Sequence, residues 1–427
     1  MAASEFSRLP GFRDFVPEDL AVRSHIFDAW RRVSRRYGFL EYDGPPLESL
    51  DLYVEKSGEE IVGQLYHFVD KGERAVALRP EMTPSLARIL GDRSRGMSKP
   101  IRWFTMPQLF RYERQQRGRL REHFQWNVDI VGEEGVAADA EVLAVAIDGL
   151  RDLGLGSDDF AARVSDRRLL SALLGVVGVA EPALPAAFSV IDKIERLPRD
   201  KAAELLRSEV GLDDAQIVTL EGLLGATGLS ELAEGFGGDA RVAAELERLG
   251  EYVATLEAMG LGDFVQIDLR IVRGLAYYTG IVFELFDRRG ELRAICGGGR
   301  YDRLLELVGG EPLPAVGFGM GDVVLGELLA ERGLLPEYER SVEYCVVPVT
   351  PEQRPLALRI AHALRDRGHA VVYSLREQGV GKQMKAAAKE GARTVLVVGP
   401  EEAERECVVS RNMTSGEEHE VPLTELL

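Results

Sequence analysis

The feature of this sequence that most limits its fold is a long helical segment placed inside a strand-rich region. Short strand-like runs and one amphipathic stretch, at 21–37, make up residues 1–155, and strand character returns at 265–286 before a predicted helix at 321–333. Between these parts, at about 160–260, Ala, Leu and Glu recur with helical spacing. The sequence therefore predicts one fold that is interrupted by a helical insertion and then resumes.

The end of the chain has a different character. Predicted strands at 343–349, 370–374 and 394–399 alternate with predicted helices at 355–367 and 380–390. This order is typical of a small α/β domain with partly parallel strands. A length of 427 residues is also enough for two or three domains. We therefore expect a separate domain at the end of the chain.

The net charge of −18 argues against a protein that binds polyanions without selectivity, but the charge is unevenly distributed. Residues 102–121 contain six arginines and one acid, and residues 354–393 contain nine basic and three acidic side chains. The helical insertion, counted over 157–260, contains nineteen acids and ten bases. Two regions are therefore locally basic, and we expect contacts with phosphate groups there.

Three widely separated cysteines, Cys296, Cys345 and Cys407, fit neither a disulfide framework nor a metal-binding knuckle. The six histidines lack the spacing of zinc ligands, and no motif supplies a covalent nucleophile. The longest apolar run, at 169–180, is too short to cross a bilayer. We therefore expect a soluble, cytoplasmic protein without a membrane segment or a dedicated metal site.

The segment FRYERQQRGRLREHFQWNVDIVG, at 110–132, is the densest candidate for a functional site. Its arginines alternate with turn-forming residues and precede a strand of period two. This pattern predicts a hairpin that directs guanidinium groups at a polyphosphate. One face of the strand carries Gln125, Asn127 and Asp129. The other face carries apolar side chains, namely Phe124, Trp126, Val128 and Ile130. A solvated basic loop beside a half-exposed strand is the alternative interpretation.

Two glycine- and tyrosine-containing segments supply further candidates. In IVRGLAYYTGIVFELF, a lone Arg273 within a β-prone run needs an anionic ligand or a structural carboxylate partner. On such a strand Tyr277 and Tyr278 point to opposite faces. The glycines at 297–299 permit close approach to a ligand, although they also fit an ordinary turn.

A last candidate, ALRPEMTPSLARIL, places Glu81 and Thr83 where a strand runs into a helix. A carboxylate at Glu81 suits a cationic group such as an amine, whereas Thr83 also fits a plain helix cap. Together the candidate segments supply arginines for a polyphosphate, carboxylates for an amine or imidazole, and glycines for close contact. This set is expected of phosphoryl or nucleotidyl transfer by positioning and electrostatic stabilisation.

The chain contains a series of motifs in the order found in one family: GFRDFVPEDL, YGFLEYDGPPLE, LRPEMT, FRYERQQRGRLREHFQ, RGLAYYTGIVFE and ICGGGRYDRL. On these motifs, which span nearly the whole chain, the sequence resembles the histidyl-tRNA synthetases, a family of class II aminoacyl-tRNA synthetases. RGLxYY together with GGGRYD marks this family within the class. The resemblance implies ATP-dependent ligation of L-histidine to tRNA(His) through a histidyl-adenylate, with ATP as a substrate accompanied by Mg²⁺.

The resemblance also implies an α+β architecture and a homodimer. The antiparallel-sheet catalytic core is expected at 1–158 and 259–334, the helical insertion at 159–258, and an α/β anticodon-binding domain at 340–427. The main alternative is a non-catalytic paralogue, such as the regulatory subunit of ATP phosphoribosyltransferase or a histidine- or tRNA-sensing module. Such paralogues typically lack the C-terminal α/β domain that this sequence predicts, which favours the ligase.

Residue roles follow from the resemblance, motif by motif. The catalytic arginines are Arg111 and Arg273. Histidine binding is expected of both arginines and of Glu81, Met82, Thr83, Gln125, Asp129, Tyr277 and Tyr278. Asp129 and Tyr278 are expected at the imidazole, whose two nitrogens donate and accept. ATP binding is expected of the same two arginines and of Glu113, Arg119 and Arg121. Contacts with tRNA are expected of Gln116, Lys382 and Lys385.

Two motifs depart from the family pattern. Ala276 replaces the aspartate of RGLDYY, and Val323 and Val324 replace the Glu-Arg pair of the third class II motif, whose arginine clamps the γ-phosphate. The chain is similar in this respect to a divergent cyanobacterial and plastid-type branch. Another arginine is expected to compensate, and the candidates are Arg119, Arg121 and Arg303.

Overall fold

The computed structural model describes residues 6–57, 59–114, 116–273, 278–290, 292–307, 312–338 and 342–427. The chain divides into two compact units, Met1–Pro336 and Glu337–Leu427. Each unit has its own sheet, and we describe the two separately. Within the described ranges, no helix is both long and apolar enough to cross a membrane.

A nine-stranded sheet forms the centre of the first unit. In chain order, the strands of this unit are β1 (Leu40–Glu41), β2 (Leu47–Ser49), β3 (His67–Val69), β4 (Ala75–Leu78), β5 (Ile101–Thr105), β6 (Gln108–Phe110), β7 (Glu122–Val131), β8 (Phe160–Asp166), β9 (Val265–Ile267), β10 (Ile281–Asp287), β11 (Cys296–Arg300) and β12 (Ala315–Gly321). The sheet order is β1-β5-β7-β12-β11-β10-β8-β9 with β6 paired to β7, and β2-β4-β3 form a small separate sheet. Neighbours from β5 to β8 are antiparallel, which confirms the predicted antiparallel core.

The helices of the first unit are, in chain order, α1 (Pro17–Arg36), α2 (Asp51–Ser57), α3 (Thr83–Arg93), α4 (Val136–Arg151), α5 (Arg167–Val177), α6 (Leu184–Ile191), α7 (Arg199–Leu205), α8 (Asp214–Leu224), α9 (Leu229–Phe236), α10 (Ala240–Ala258), α11 (Leu304–Leu307) and α12 (Asp322–Arg332). Asp166 and Asp239 cap α5 and α10, because their carboxylates accept hydrogen bonds from N–H groups of the first turn. The apolar faces of these two helices join the same hydrophobic core as the sheet.

The two faces of the central strands differ in polarity. Trp126 and Val128 of β7 and Phe318 of β12 lie in the hydrophobic core. Trp126 packs edge-on to Phe318 at a ring-centroid distance of 5.0 Å. Because side chains alternate along a strand, Gln125 and Asp129 lie on the opposite face. The predicted alternation along β7 is therefore confirmed.

A buried ion pair fixes α4 against β11. Arg300 donates from Nη2 to Oδ2 of Asp139 at 2.6 Å, and both side chains are 1% exposed. The same guanidinium donates to the carbonyl groups of Glu133 at 3.1 Å and Gly135 at 3.3 Å. These acceptors take up hydrogen bonds from several N–H groups of the guanidinium, which offsets the cost of burying the charged pair. The pair ties α4 to the end of β11.

The second unit is a five-stranded sheet with helices. Its elements are β13 (Tyr344–Pro348), α13 (Arg354–Asp366), β14 (Val371–Tyr373), α14 (Val380–Lys389), β15 (Thr394–Val398), α15 (Pro400–Glu404), β16 (Cys407–Asn412), β17 (Glu418–Pro422) and α16 (Leu423–Leu426). The order is β14-β13-β15-β16-β17, parallel among the first three strands and antiparallel beyond them. The strands and helices from β13 to β15 alternate as predicted. Strands β16 and β17 were not predicted, and of these β17 is polar and mostly exposed.

Two predicted local structures are wrong. The run at 265–286 is not one strand, since it contains β9 and β10, and the described residues between them, 268–273 and 278–280, belong to neither strand. Arg273 has a φ of +54°, a left-handed conformation that interrupts a strand. Tyr278 consequently lies off the strand, and Tyr277 lies outside the described residues. The glycines at 297–299 are not a turn, because they form the middle of β11.

The predicted domain boundaries stay predictions, but the local structure refines the insertion. The segment expected at 159–258 begins with β8, which pairs with β10 along its whole length as part of the large sheet. The helices of this segment begin only at Arg167, where α5 starts.

Candidate active site

The polar face of the central strands combines side chains with a floor of glycines. Asp129 of β7 is in register with Gly317 of β12, and Asn127 with Gly319. Gly319 is in turn in register with Gly297 of β11. Residues in register on adjacent strands share one face of a sheet, so these glycines lie between the polar side chains of β7 and those of β10.

The glycines on this face make room for neighbouring polar side chains. A Cβ atom at Gly317 would overlap the carboxylate of Asp129, and would lie 2.7 Å from the carbonyl oxygen of Val128. A Cβ atom at Gly319 would lie 2.7 Å from Cδ of Gln125. Since real Cβ atoms essentially never approach other atoms so closely, a larger residue would displace these side chains. The glycines therefore shape the pocket above them.

A polar cavity, the first cavity, opens above this floor. Its lining residues come from α3, the hairpin, the central strands and the segment after β9. They are Glu81, Thr83, Arg111, Gln125, Asn127, Asp129, Arg273, Tyr278, Gly297, Tyr301, Gly317, Phe318 and Gly319. The structure thus brings together most of the residues expected to bind histidine, from segments almost 200 positions apart.

Two predicted residues at the start of α3 have different surroundings. Thr83 is the first residue of the helix and lines the first cavity. The N-cap is Met82, with no side-chain cap hydrogen bond, so the alternative of Thr83 as a helix cap is wrong. The side chain of Met82 is fully buried against Arg79 and does not line the cavity.

Asp129 has a partner that the sequence analysis missed. The hydroxyl of Tyr301 donates a hydrogen bond to Oδ1 of Asp129, and both side chains are at least 95% buried. Tyr301 follows directly after the glycines of GGGRYD, so the motif itself was the available signal. A buried carboxylate held in this way has a defined orientation toward the cavity.

Arg273 is the most constrained residue of the site. Its guanidinium pairs with Glu284 of β10 and lies over the ring of Tyr278 at 5.6 Å from the centroid. Burial acts to lower the pKa of Arg273, but Tyr278 and Glu284 outweigh that effect and raise it above its ordinary value. The left-handed backbone at this position is a strained conformation of the kind found at functional sites. Arg273 therefore has the structural carboxylate partner that the sequence suggested, and it also lines a cavity where it can meet an anionic ligand.

Arg111 and the strand beside it form another edge of the site. Nε of Arg111 donates to the carbonyl oxygen of Pro80 at 3.1 Å, which directs the side chain across the start of α3. Burial, followed by the positive charges of Arg111 and Arg13, lowers the pKa of His123 to about 3. The imidazole of His123 is therefore neutral at physiological pH, so the positive charge at this edge of the site comes from the arginines.

A second cavity adjoins the first and shares Arg273 with it. Its volume is about 590 Å³. Its charged lining residues are Arg119, Arg196, Arg270, Arg273, Arg293, Asp192, Glu195 and Glu284. Positive charge therefore dominates this wall, as an anionic ligand requires.

The hairpin residues expected to bind ATP differ in their relation to this second cavity. Arg119 lines it and pairs with Glu113 at 2.8 Å. Arg121 stacks over the ring of Tyr112, 4.3 Å from its centroid. Gln116 forms an isolated β-bridge with Arg119 and is exposed. Among Glu113, Arg119 and Arg121, Arg119 is therefore the residue that belongs to the described lining of the cavity.

The second unit contains a separate third cavity of about 310 Å³. Arg354, Arg376 and Gln383 line it, and the sequence analysis missed all three. Nε2 of Gln383 donates to the carbonyl oxygens of Pro348 at 3.1 Å and Gln378 at 2.7 Å. Its buried Oε1 has no hydrogen-bond partner among the described residues. The cavity thus presents two cations and one carboxylate, that of Glu377, together with the Oε1 acceptor of Gln383.

The remaining predicted residues lie on α14. Lys382 and Lys385 are exposed on this helix, close in sequence to Gln383 but outside the described lining of the third cavity. Across the parts of the chain that the structure describes, no group of three or more His, Cys, Asp or Glu side chains is arranged to hold a metal ion.

Comparison with known proteins gives a consistent family. Residues 11–321 match the histidyl-tRNA synthetase family and residues 343–427 the anticodon binding domain family. A histidine–tRNA ligase of Opitutus terrae is 44% identical over 98% of this chain and 96% of that protein. A chloroplastic/mitochondrial histidine–tRNA ligase of Arabidopsis thaliana is 43% identical over 97% of this chain and 85% of that protein.

Solved structures agree with these relatives. The crystal structure of histidyl-tRNA synthetase from Nostoc sp. PCC 7120 superposes with a TM-score of 0.83 at 26% identity, covering 99% of this chain and 98% of that chain. An antiparallel sheet that carries a polar cavity, followed by an anticodon-binding domain, defines a class II aminoacyl-tRNA synthetase. Within that class, the chain belongs to the histidyl-tRNA synthetase family.

The regulatory alternative is not favoured. A structure described as an ATP phosphoribosyltransferase regulatory subunit/histidyl-tRNA synthetase from Bacillus halodurans superposes with a TM-score of 0.77 at 24% identity, covering 93% of this chain and all of that chain. Such a likeness reflects a shared fold. The identity to ligases over nearly the full length and the anticodon-binding domain favour the ligase instead.

Proposed function

We propose that this chain activates L-histidine with ATP and transfers it to its tRNA, and that the first and second cavities together form the active site. The observation that carries the proposal is the position of Arg273, which lines both cavities. Arg273 lies where the first cavity, proposed to bind the amino acid, adjoins the arginine-rich second cavity. A guanidinium there can bind the carboxylate of histidine and the α-phosphate of ATP at the same time. Family membership over nearly the whole chain supports the reaction itself.

Histidine binds in the first cavity. Its imidazole donates to the carboxylate of Asp129 through one nitrogen and accepts from the hydroxyl of Tyr278 through the other. Glu81, Thr83 and Gln125 hold the α-ammonium group. The presence of all five side chains in the lining of one cavity supports these roles.

The first step needs no protein base, because the histidine carboxylate is already ionised at neutral pH. One carboxylate oxygen bonds to the α-phosphorus of ATP, the bond to the bridging oxygen breaks, and pyrophosphate leaves with that electron pair. Arg111 and Arg273 hold the carboxylate and the α-phosphate and stabilise the negative charge that develops there. ATP enters with Mg²⁺ as part of the substrate. A terminal hydroxyl of tRNA then attacks the adenylate carbonyl, and AMP leaves.

Exchange of labelled pyrophosphate into ATP tests this proposal. We expect exchange with L-histidine and none with other amino acids, because Asp129 and Tyr278 select a ring that both donates and accepts. A protein that binds histidine but catalyses no exchange would contradict the proposal and support a sensing role.

Replacing Gly297 with alanine is expected to lower this exchange at least about tenfold, because a Cβ atom there would overlap the guanidinium of Arg273. The fold is expected to survive, since the overlapped atoms are the end of a flexible side chain. Gly298→Ala is the matched control, because its Cβ atom would meet the Gly317 carbonyl oxygen at 2.5 Å in the packed core. That variant is expected to lose stability by about 1–3 kcal/mol. Thermal unfolding and exchange rates on both variants check the prediction, and equal unfolding temperatures for the two would contradict it.

The second unit binds the anticodon region of tRNA in this proposal. The third cavity, with Arg354, Arg376 and the unpartnered Oε1 of Gln383, offers groups that bind phosphates and base edges. Lys382 and Lys385 on α14 add positive charge nearby, and Gln116 contacts tRNA from the hairpin tip. The match to the anticodon binding domain family supports this assignment.

Charge reversal of both Lys382 and Lys385 to glutamate is expected to lower kcat/KM for tRNA charging about tenfold or more and to reduce its salt dependence. Amino-acid activation should be unchanged, because the first step does not use tRNA. Lys385→Glu alone can be compared with Lys71→Glu, an equal charge change in an exposed turn of the first unit. Parallel losses of exchange and charging in the double variant would show that α14 is not simply a tRNA contact.

The proposed enzyme is a cytoplasmic homodimer. Leu40, Phe68 and Val69 leave more than half of their surface exposed, and we propose these apolar side chains as part of the contact with a second copy. The described cysteines are all buried and free, which suits a reducing compartment.

A further inference from the structure

The arginines of the second cavity differ in whether an acid neutralises them. Three have acidic partners in the structure: Arg119 with Glu113, Arg270 with Asp268 and Glu195, and Arg273 with Glu284. Arg196 and Arg293 form no ion pair within 4 Å with another described residue. Five arginines face three acids in the lining of this cavity, so Arg196 and Arg293 supply positive charge in excess of what the described ion pairs neutralise.

The surroundings of Arg293 make this excess unfavourable without a ligand. Burial, followed by the charges of Arg119 and Arg196, lowers the pKa of Arg293 below its ordinary value. Like charges that face one cavity repel each other, and an anion between them converts that repulsion into attraction. The geometry is thus prepared for a group with several negative oxygens.

Arg293 also lies beside the position where the sequence departs from its family. A Cβ atom at Gly118 would be 3.1 Å from Cγ2 of Val324 and 3.7 Å from Cδ of Arg293, so both side chains pack against the same glycine. Val324 is the residue that replaces an arginine in the third class II motif. The positive charge that is missing from α12 is therefore available from the segment before β11.

We propose that Arg293, assisted by Arg196, binds the outer phosphates of ATP. The inference rests on the proposed function, which places the α-phosphate at Arg273. From Arg273 the second cavity continues to Arg293, so a triphosphate extended along its wall brings the β- and γ-phosphates to the unneutralised arginines. A guanidinium suits this role because its planar fork donates two parallel hydrogen bonds to phosphate oxygens.

Two of the three arginines suggested by the sequence are less suited to this role. Arg121 stacks on Tyr112 and lies outside the described lining of the cavity. Arg303 has a side chain that is 79% exposed, pairs with Glu306 at 3.3 Å, and also lies outside that lining. Arg119 lines the cavity but is neutralised by Glu113. Arg293 is also exposed, but it lines the cavity and forms no ion pair with another described residue.

The test is the Arg293→Ala variant, with the binding of ATP and of AMP measured separately by calorimetry. Removing a charge-assisted contact to the outer phosphates is expected to weaken ATP binding about tenfold to a hundredfold. AMP binding should change less than about twofold, because AMP lacks those phosphates. Arg289→Ala, an exposed arginine four positions earlier and outside the described lining, is the control and should leave both affinities unchanged.

A second variant makes the result specific. Adding Val324→Arg to Arg293→Ala returns a guanidinium to the same end of the cavity, and we expect it to recover part of the lost ATP affinity. Unchanged ATP affinity in Arg293→Ala, or equal losses for ATP and AMP, would overturn the inference. If the wild-type chain distinguishes ATP from AMP through Arg293 but catalyses no histidine-dependent exchange, the proposed function fails and the inference stands.

Discussion

Replacing Arg273 with alanine is expected to lower the rate of histidine-dependent ATP–pyrophosphate exchange by about a thousandfold. The side chain lines both cavities, and we propose that the carboxylate of histidine and the α-phosphate of ATP meet there. Negative charge accumulates there as the new bond forms, and a preorganised cation acts mainly on that transition state. We therefore expect the loss in kcat, with smaller changes in the KM values for histidine and ATP.

Two further variants separate this role from a structural one. Arg273→Lys keeps the charge but loses the planar fork, so it should recover only part of the rate. Arg163→Ala removes an arginine of β8 that also pairs with an acid, Glu195 at 3.2 Å, but lies outside the described walls of both cavities. This control should exchange at nearly the wild-type rate. A thousandfold loss in Arg163→Ala, or full activity in Arg273→Ala, would contradict the assignment.

The second large effect is expected at the imidazole. Asp129→Ala should raise the KM for histidine about a hundredfold and leave the KM for ATP within about twofold. The substitution removes a buried charged hydrogen-bond acceptor from the histidine pocket and leaves the proposed ATP pocket unchanged. The hydroxyl of Tyr301 also loses its acceptor, so the pocket is less ordered as well. Steady-state exchange kinetics at varied histidine and at varied ATP provide the measurement.

Asp287→Ala is a matched control for Asp129→Ala. Asp287 is another buried aspartate of the same sheet, 3% exposed, and it pairs with Arg332 at 2.6 Å away from the first cavity. Its removal should lower thermal stability without changing the KM for histidine. Equal increases in the KM for histidine and for ATP in Asp129→Ala would show that Asp129 supports the fold rather than the imidazole.

The features that the sequence could predict are those that depend on local periodicity. The alternation of Gln125, Asn127 and Asp129 with apolar residues is a pattern of period two, and the structure confirms their common face. The alternating elements of the second unit were readable for the same reason. Motifs of the family then identified the side chains that the fold brings into the first cavity.

The features that could not be predicted depend on pairing between distant segments. Asp129 and Tyr301 are 172 positions apart, and nothing near either residue indicates their hydrogen bond. The role of Gly317 as the floor below Asp129 follows only from the register of β7 and β12. Arg293 stands in a segment without a recognisable pattern, so its position beside Val324 became visible only in three dimensions.

The strand order has a consequence for the synthesis of the chain. Strand β12 lies between β7 and β11 at the centre of the sheet, yet it is the last strand of its unit to leave the ribosome. Until then one edge of β7 has no neighbour, and unpaired edges favour aggregation during folding. A nascent chain that stops before residue 315 lacks the glycine floor beneath Asp129. Because the proposed histidine pocket needs β12, we expect chains that end before residue 315 not to bind histidine.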